Sequence, residues 1–146
     1  MVAAAQYAPA PMVDLALGAH AAMVAQAYDG LPDEACGLLA GPQGAAAVTR
    51  FYPCRNVAAS SRIYELDPGD HLRIDRAAED AGLEIVGVMH SHTHTDAYPS
   101  PTDVAQAPDP GWHYVIVSLR DAAPVVRSFR IEDESITEEP ISLVRG

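Results

Sequence analysis

The residues best suited to chemistry lie in one stretch, Val86-Gly87-Val88-Met89-His90-Ser91-His92, followed after a polar loop by Ser100-Pro101-Thr102-Asp103. The apolar run reads as a buried strand ending in two imidazoles at i and i+2. Alternate strand residues point to the same face, so His90 and His92 can converge on one atom. Two neutral imidazoles and one carboxylate suit a catalytic zinc ion, which takes three protein ligands and keeps a fourth position open for water. Metal-assisted hydrolysis therefore ranks first among the chemistries this pattern allows.

Each of these residues also has a plainer reading. A His-x-His pair is common, and either ring can be a satisfied polar side chain near a sheet edge. Its company argues for a site: burying polar rings at the end of an apolar strand is costly, and the following polar, Pro-containing segment has the composition of an active-site loop. Ser100-Pro101-Thr102-Asp103 is equally a helix start, with Ser as N-cap, Pro at N1 and an acid at N3. Both readings of Asp103 can hold together, because a capped helix terminus keeps a carboxylate in one place. His94 completes no pattern of its own: the His-rich loops of metallo-β-lactamase-like hydrolases use His-x-His-x-Asp-His, which is absent here, so His94 is placed on the loop or rim. A hydrolase of this kind also needs an acid/base near pKa 7 that is not a ligand. Glu34, at the mouth of the apolar run Ala35–Ala40, is the candidate, since partial burial raises a carboxyl pKa; the alternative is a turn glutamate capping a strand.

The frame around these residues is that of one domain of 146 residues. An apolar content of 49% fits a globular protein. The net charge is −11, and all nine cationic residues are Arg. Such a surface repels phosphate backbones, so nucleic acid is not an expected partner. The lack of Lys excludes Schiff-base and Ser–Lys chemistry. Cys36 and Cys54 make neither a disulfide framework nor a zinc-ribbon pair. No positive residue precedes Arg50, and the run Leu15–Ala27 is too short to span a bilayer. A cytoplasmic protein without a membrane partner is the expectation.

Residues 1–11 read as a loosely held arm. Asp14 to Tyr28 reads as an amphipathic helix with Asp14 as N-cap and Leu15, Leu17, Met23, Val24 and Ala27 as its apolar groups. Gly30 and Pro32 end it. Ala35–Ala40, Val48–Pro53 and Arg62–Leu66 read as strands, the first closed by the turn Gly41–Gly44. Pro68–Ala81 is a second helix with Asp67 as N-cap, Gly82 as terminator and Leu72, Ile74, Ala77 and Ala78 inside. Glu84–Ser91 is the histidine-bearing strand, with Ile85–Met89 apolar enough to be buried on both sides. Trp112–Leu119, Val125–Ile131 and Ser135–Glu138 complete a strand-rich C-terminal half. The order implies an α+β class, a mixed α/β sandwich with helices packed on one sheet.

Glu34-Ala35-Cys36-Gly37-Leu38-Leu39-Ala40-Gly41, then His90-Ser91-His92, seven residues, Ser100, two residues and Asp103 resembles the signature of the JAMM (MPN+) metalloprotease family. That signature is an upstream Glu followed by His-x-His-x7-Ser-x2-Asp. The resemblance implies a cytidine-deaminase-like JAMM/MPN fold, one central mixed sheet flanked by helices. It implies one zinc ion held by His90, His92 and Asp103, with Glu34 as acid/base and Ser100 supporting the oxyanion. Thr93 stands where many members carry Pro. The similarity runs from about residue 12 to 140. Pro32–Gly37, Tyr64–Asp67, Ala97–Ser100 and Trp112–Val115 resemble an actinobacterial branch of the family, in which Thr also follows the histidine pair.

That branch hydrolyses the amide between the C-terminal Gly of a ubiquitin-like sulfur-carrier protein and L-cysteine, releasing cysteine for cysteine biosynthesis. The implied partner is a carrier with a C-terminal Gly-Gly bearing the cysteine adduct; a homodimer stays open. Arg55 or Arg62 can pair with the cysteine carboxylate, although solvated surface Arg is the plainer reading of both. Three other classes remain: a JAMM isopeptidase acting on another ubiquitin-like modifier or small conjugate, a cysteine hydrolase using Cys36 or Cys54, and a non-catalytic MPN scaffold.

Overall fold

The computed structural model describes residues 12–146; the arm expected over residues 1–11 lies outside the described residues. Nine strands and three helices follow in the order β1 (Val13–Ala16), α1 (Leu17–Gly30), β2 (Cys36–Gly41), β3 (Ala47–Val48), β4 (Arg50–Cys54), α2 (Pro68–Asp80), β5 (Glu84–His92), α3 (Pro101–Ala105), β6 (His113–Ser118), β7 (Val125–Glu132), β8 (Ser135–Glu139) and β9 (Ile141–Val144) among the described residues. A six-stranded sheet runs β4-β2-β5-β6-β7-β8. Only β5 and β6 pair in parallel; the other neighbours are antiparallel. This is the mixed central sheet the sequence implies. A second sheet, β3-β1-β9, joins it.

The central strands are apolar on both faces because both faces are covered. On one side Leu39, Met89, Val115 and Val117 meet α1 through Ala19, Met23 and Ala27, and meet β1 through Val13 and Leu15. On the other side Leu38, Val88, Ile116, Phe129 and Ile131 meet Ile74 of α2. Strand alternation thus assigns Val88 and Met89 to opposite cores, and carries His90 and His92 onto the α2 face.

Four sequence expectations change. Asp14 caps no helix: Val13–Ala16 is a strand hydrogen-bonded in parallel to β3 and β9, and α1 starts at Leu17 without a side-chain cap. The short pattern of Val13 and Leu15 fits a strand as well as a helix, and only the partners from β3 and β9 decide between them. Leu17, Leu72 and Ala77 are exposed rather than inward. The Val48–Pro53 strand is split into β3 and β4, which belong to different sheets. Arg62–Leu66 is a loop with one bridge, Asn56 to Leu66. There the Asn56 amide donates to the Ile63 carbonyl, and its oxygen accepts from Ala58 and Glu65 backbone N–H groups, taking the place of a ladder. The remaining helix signals hold: Asp67 accepts from Gly69 N–H, and Gly82 adopts a φ of 73° beyond α2.

Gly87 lies on β5 where β6 approaches closely. A Cβ there would sit 2.2 Å from the His113 carbonyl oxygen, backbone that cannot move aside. Gly87→Ala should lower stability by about 1–3 kcal/mol through overpacking, measured by denaturant unfolding. An unchanged midpoint would show that the two strands separate more easily than this geometry allows.

Candidate metal centre

Three side chains converge at the C-terminal end of β5. His90 Nε2 and His92 Nε2 are 3.1 Å apart, and Asp103 Oδ2 lies 3.1 Å from each. All three residues are buried. Asp103 arrives by the helix-start device read in the sequence. The Ser100 hydroxyl accepts from Asp103 N–H at 3.1 Å, and Asp103 Oδ2 accepts from Ser100 N–H at 2.8 Å, a complete capping box. One oxygen atom of Asp103 thus closes the cap and faces both imidazoles.

The donor set suits a divalent cation. Tetrahedral zinc with bonds near 2.0–2.1 Å holds its N and O ligands about 3.3 Å apart, close to the observed 3.1 Å triangle. His92 Nδ1 lies 2.7 Å from the Asp96 carbonyl oxygen. A carbonyl only accepts, so the proton sits on Nδ1 and the Nε2 lone pair faces the centre in the neutral ring. His90 is stacked under Tyr64, ring centroids 4.5 Å apart, and its Nδ1 is buried without a protein partner among the described residues. Burial lowers the His90 pKa. Burial opposes charge on His92 too, yet hydrogen bonding to Asp103 and Asp96 outweighs it and raises that pKa. Burial would also raise Asp103, but both imidazoles and the Ser100 N–H hold it well below the usual carboxylate range.

Glu34 stands beside this triangle. It is buried, its Oε1 has no hydrogen-bond partner among the described residues, and desolvation pushes its pKa up to about 7. His92 pulls the value down and Asp103 pushes it up, both less strongly than burial. Its backbone is held from two sides: Glu34 N–H donates to the Ser60 carbonyl at 2.8 Å, and its carbonyl accepts from the Asn56 amide at 2.9 Å. Ser91 completes the alignment. Its hydroxyl accepts from Ala35 N–H at 2.8 Å, and its own N–H donates to the Ala35 carbonyl. Ser91 and Asn56 escape the sequence reading as site residues. An Asn in a turn-rich loop is a known sign of side-chain-to-backbone bonding; Tyr64 falls in a segment singled out by the resemblance but without a role, and nothing marks the hydroxyl of Ser91.

A cleft of about 490 Å³ opens over Glu34 and His92, walled by Ser61, Arg62, Thr93, His94, Thr95 and Ser100. The loop after β5 is anchored by buried Ala97, by Ser118 Oγ donating to the Thr95 carbonyl at 2.6 Å and by an Arg120–Asp96 ion pair. His94 is exposed on the rim, as expected, and is tied to the Thr93 hydroxyl at 2.7 Å.

Residues 17–132 match the model of the prokaryotic homologues of the JAB domain. The chain belongs to the prokaryotic JAB family. It is 50% identical over 124 residues to the CysO-cysteine peptidase of Mycobacterium tuberculosis, covering 84% of this chain and 85% of that one. It is 42% identical over 111 residues to a desampylase of Haloferax volcanii, covering 73% and 80%. A solved protein of Desulfitobacterium hafniense superposes with a TM-score of 0.84 at 36% identity, over 92% of this chain and 94% of that one. A JAB1/MPN domain protein of Archaeoglobus fulgidus shares the fold at a TM-score of 0.59 and 18% identity, over 88% and 98%.

Membership in the JAB family, with peptidase relatives and a complete His-His-Asp set, places the chain among hydrolases rather than non-catalytic scaffolds. The cysteine-nucleophile alternative loses support: Cys36 and Cys54 are free, buried thiols, and burial pushes both pKa values up to about 12. His113 lies away from the triangle, with Nδ1 2.5 Å from Glu139. Among the described residues no helix is long and apolar enough to cross a membrane.

The triangle and its neighbouring acid can each be tested. His92→Ala should abolish stoichiometric metal binding, measured by elemental mass spectrometry; a variant that keeps a full equivalent would remove His92 from the ligand set. Glu34 is tested in metal-free protein. Its folded pKa of about 7 exceeds the ordinary 4.5, so the stability tied to its proton is complete below about 4.5 and is lost as pH rises through 7. Glu34→Gln should therefore melt progressively higher than wild type as pH goes from 4.5 to 8. A constant difference across that range would mean that Glu34 titrates normally.

Proposed function

We propose that this protein is a zinc-dependent peptidase cleaving the amide between the C-terminal Gly of a ubiquitin-like sulfur-carrier protein and L-cysteine. The observation that carries the reading is the buried His90–His92–Asp103 triangle with Glu34 beside it, one carboxyl oxygen unpartnered among the described residues and its pKa raised to about 7. The substrate assignment draws on the 50% identity to a protein named CysO-cysteine peptidase.

In this reading His90, His92 and Asp103 hold the ion. When bound, zinc acidifies water and polarises a carbonyl oxygen. Glu34, with a pKa near neutrality, accepts the proton of the attacking water and then delivers it to the departing cysteine amine. Ser100 Oγ already accepts the cap bond from Asp103 N–H, so its own hydroxyl proton is available to donate to the carbonyl oxygen as charge builds there. A second reading, release of a ubiquitin-like modifier from a different conjugate, draws on the 42% identity to a desampylase.

The decisive experiment incubates the zinc-loaded protein with a sulfur carrier ending in Gly-Gly-Cys and follows intact mass. Loss of one cysteine residue, blocked by chelator, is expected. Glu34→Gln should retain zinc and lose about 10²–10⁴-fold in turnover. An unaltered carrier mass would refute the substrate, and near-normal turnover by a zinc-replete Glu34→Gln would refute the role of Glu34.

A further inference from the structure

Resting on the carrier–cysteine reading, we propose that Arg62 receives the α-carboxylate of the leaving residue and directs the site to conjugates whose leaving residue ends in a free carboxylate. A cysteine joined through its amine brings a carboxylate within two bonds of the scissile nitrogen. That negative charge enters a protein of net charge −11, in the cleft that exposes Glu34. Beyond the ion held by His90, His92 and Asp103, a cation on the leaving-residue side of the cleft attracts that carboxylate.

Most arginines near a carboxylate are already engaged. Arg55 pairs with Asp67 at 3.5 Å, Arg73 with Asp70, Arg120 with Asp96, Arg127 with Glu138 and Arg130 with Glu139. Arg62 is the one arginine lining the cleft that also exposes Glu34, His92 and Ser100, and no carboxylate pairs with it among the described residues. Of the two arginines that the sequence offers for this role, the structure separates Arg55 by engaging it with Asp67 and its backbone N–H with Asp70.

Arg62 is also held in register with Glu34. Ser60 carries both connections: its carbonyl accepts from Glu34 N–H at 2.8 Å, and its hydroxyl accepts from Arg62 N–H at 3.0 Å. Asn56 ties the Glu34 carbonyl to the Ile63 carbonyl through one amide group. Across the cleft, Thr93 Oγ1 donates to the Ser61 carbonyl at 3.4 Å. The backbone that bears the guanidinium is thereby fixed relative to the acid/base. The planar fork of Arg suits a carboxylate, which can accept two parallel N–H bonds. An amide made to the side-chain amine of a protein lysine presents no carboxylate at that position. Arg62 thus separates the two readings of function by chemistry.

The test compares two carriers that differ only at the far end of the leaving residue, one ending in cysteine free acid and one in cysteinamide. Wild type should cleave the free acid with at least about tenfold higher kcat/KM, the scale of a charge-assisted hydrogen bond. Arg62→Ala should lose that preference by falling to the cysteinamide rate on both, with unchanged zinc content and melting temperature. Arg55→Ala should keep it. High salt should shrink the preference in wild type. A wild type that cleaves both carriers equally, or an Arg62→Ala that keeps the preference or slows both alike, overturns the assignment of Arg62. A wild type inert toward both carriers overturns the carrier–cysteine function instead.

Discussion

Three lone-pair-bearing atoms brought within 3.1 Å of one another in a buried site repel unless a positive charge lies among them. The centre of this molecule is organised by that constraint. A proton can satisfy it in part, and hydrogen bonding to Asp103 and Asp96 raises the pKa of His92 in that direction. A divalent cation satisfies all three atoms at once, and the Asp96 carbonyl holds His92 in the tautomer that this requires. Asp103 Oδ2 also accepts from Ser100 N–H, so the start of α3 and the centre stand or fall with the same oxygen.

Two carboxylates a short distance apart behave in opposite ways, and the number of donors each one meets explains why. Asp103 faces two imidazoles and a backbone N–H, which outweigh its desolvation. Glu34 is buried with one oxygen lacking any partner among the described residues, so desolvation dominates and its pKa rises to about 7. Separation of this kind assigns one group to hold charge and the other to exchange protons. The backbone bonds to Ser60 and Asn56, with the Ser91 clamp on Ala35, hold Glu34 where its proton is useful.

The far end of the sheet is organised for stability rather than for this chemistry. Glu139 joins His113, Ser128 and Arg130 in a buried network. Burial would raise its pKa, yet these partners lower it. The network ties β6, β7 and β8 together just before Pro140 leads into β9, the strand that completes the second sheet on β1. His113 is thereby accounted for as a structural histidine, in a place that periodicity could not distinguish from a ligand.

Local residue patterns were enough to align His90 with His92, to start a helix at Ser100 with Asp103 in its capping box, and to mark β5 as apolar on both faces. Short-range rules govern all of these: strand alternation aligns His90 with His92, and the spacing of Ser100 and Asp103 closes a capping box whatever surrounds it. The three-dimensional arrangement was needed to make Val13–Ala16 a strand, because its partners β3 and β9 lie far away along the chain. It also turned residues 62–66 into a cleft wall, stacked Tyr64 on His90, and paired Arg55 while leaving Arg62 lining the cleft. Such outcomes depend on which distant groups compete for each hydrogen bond and charge, and no local pattern of residues carries that information.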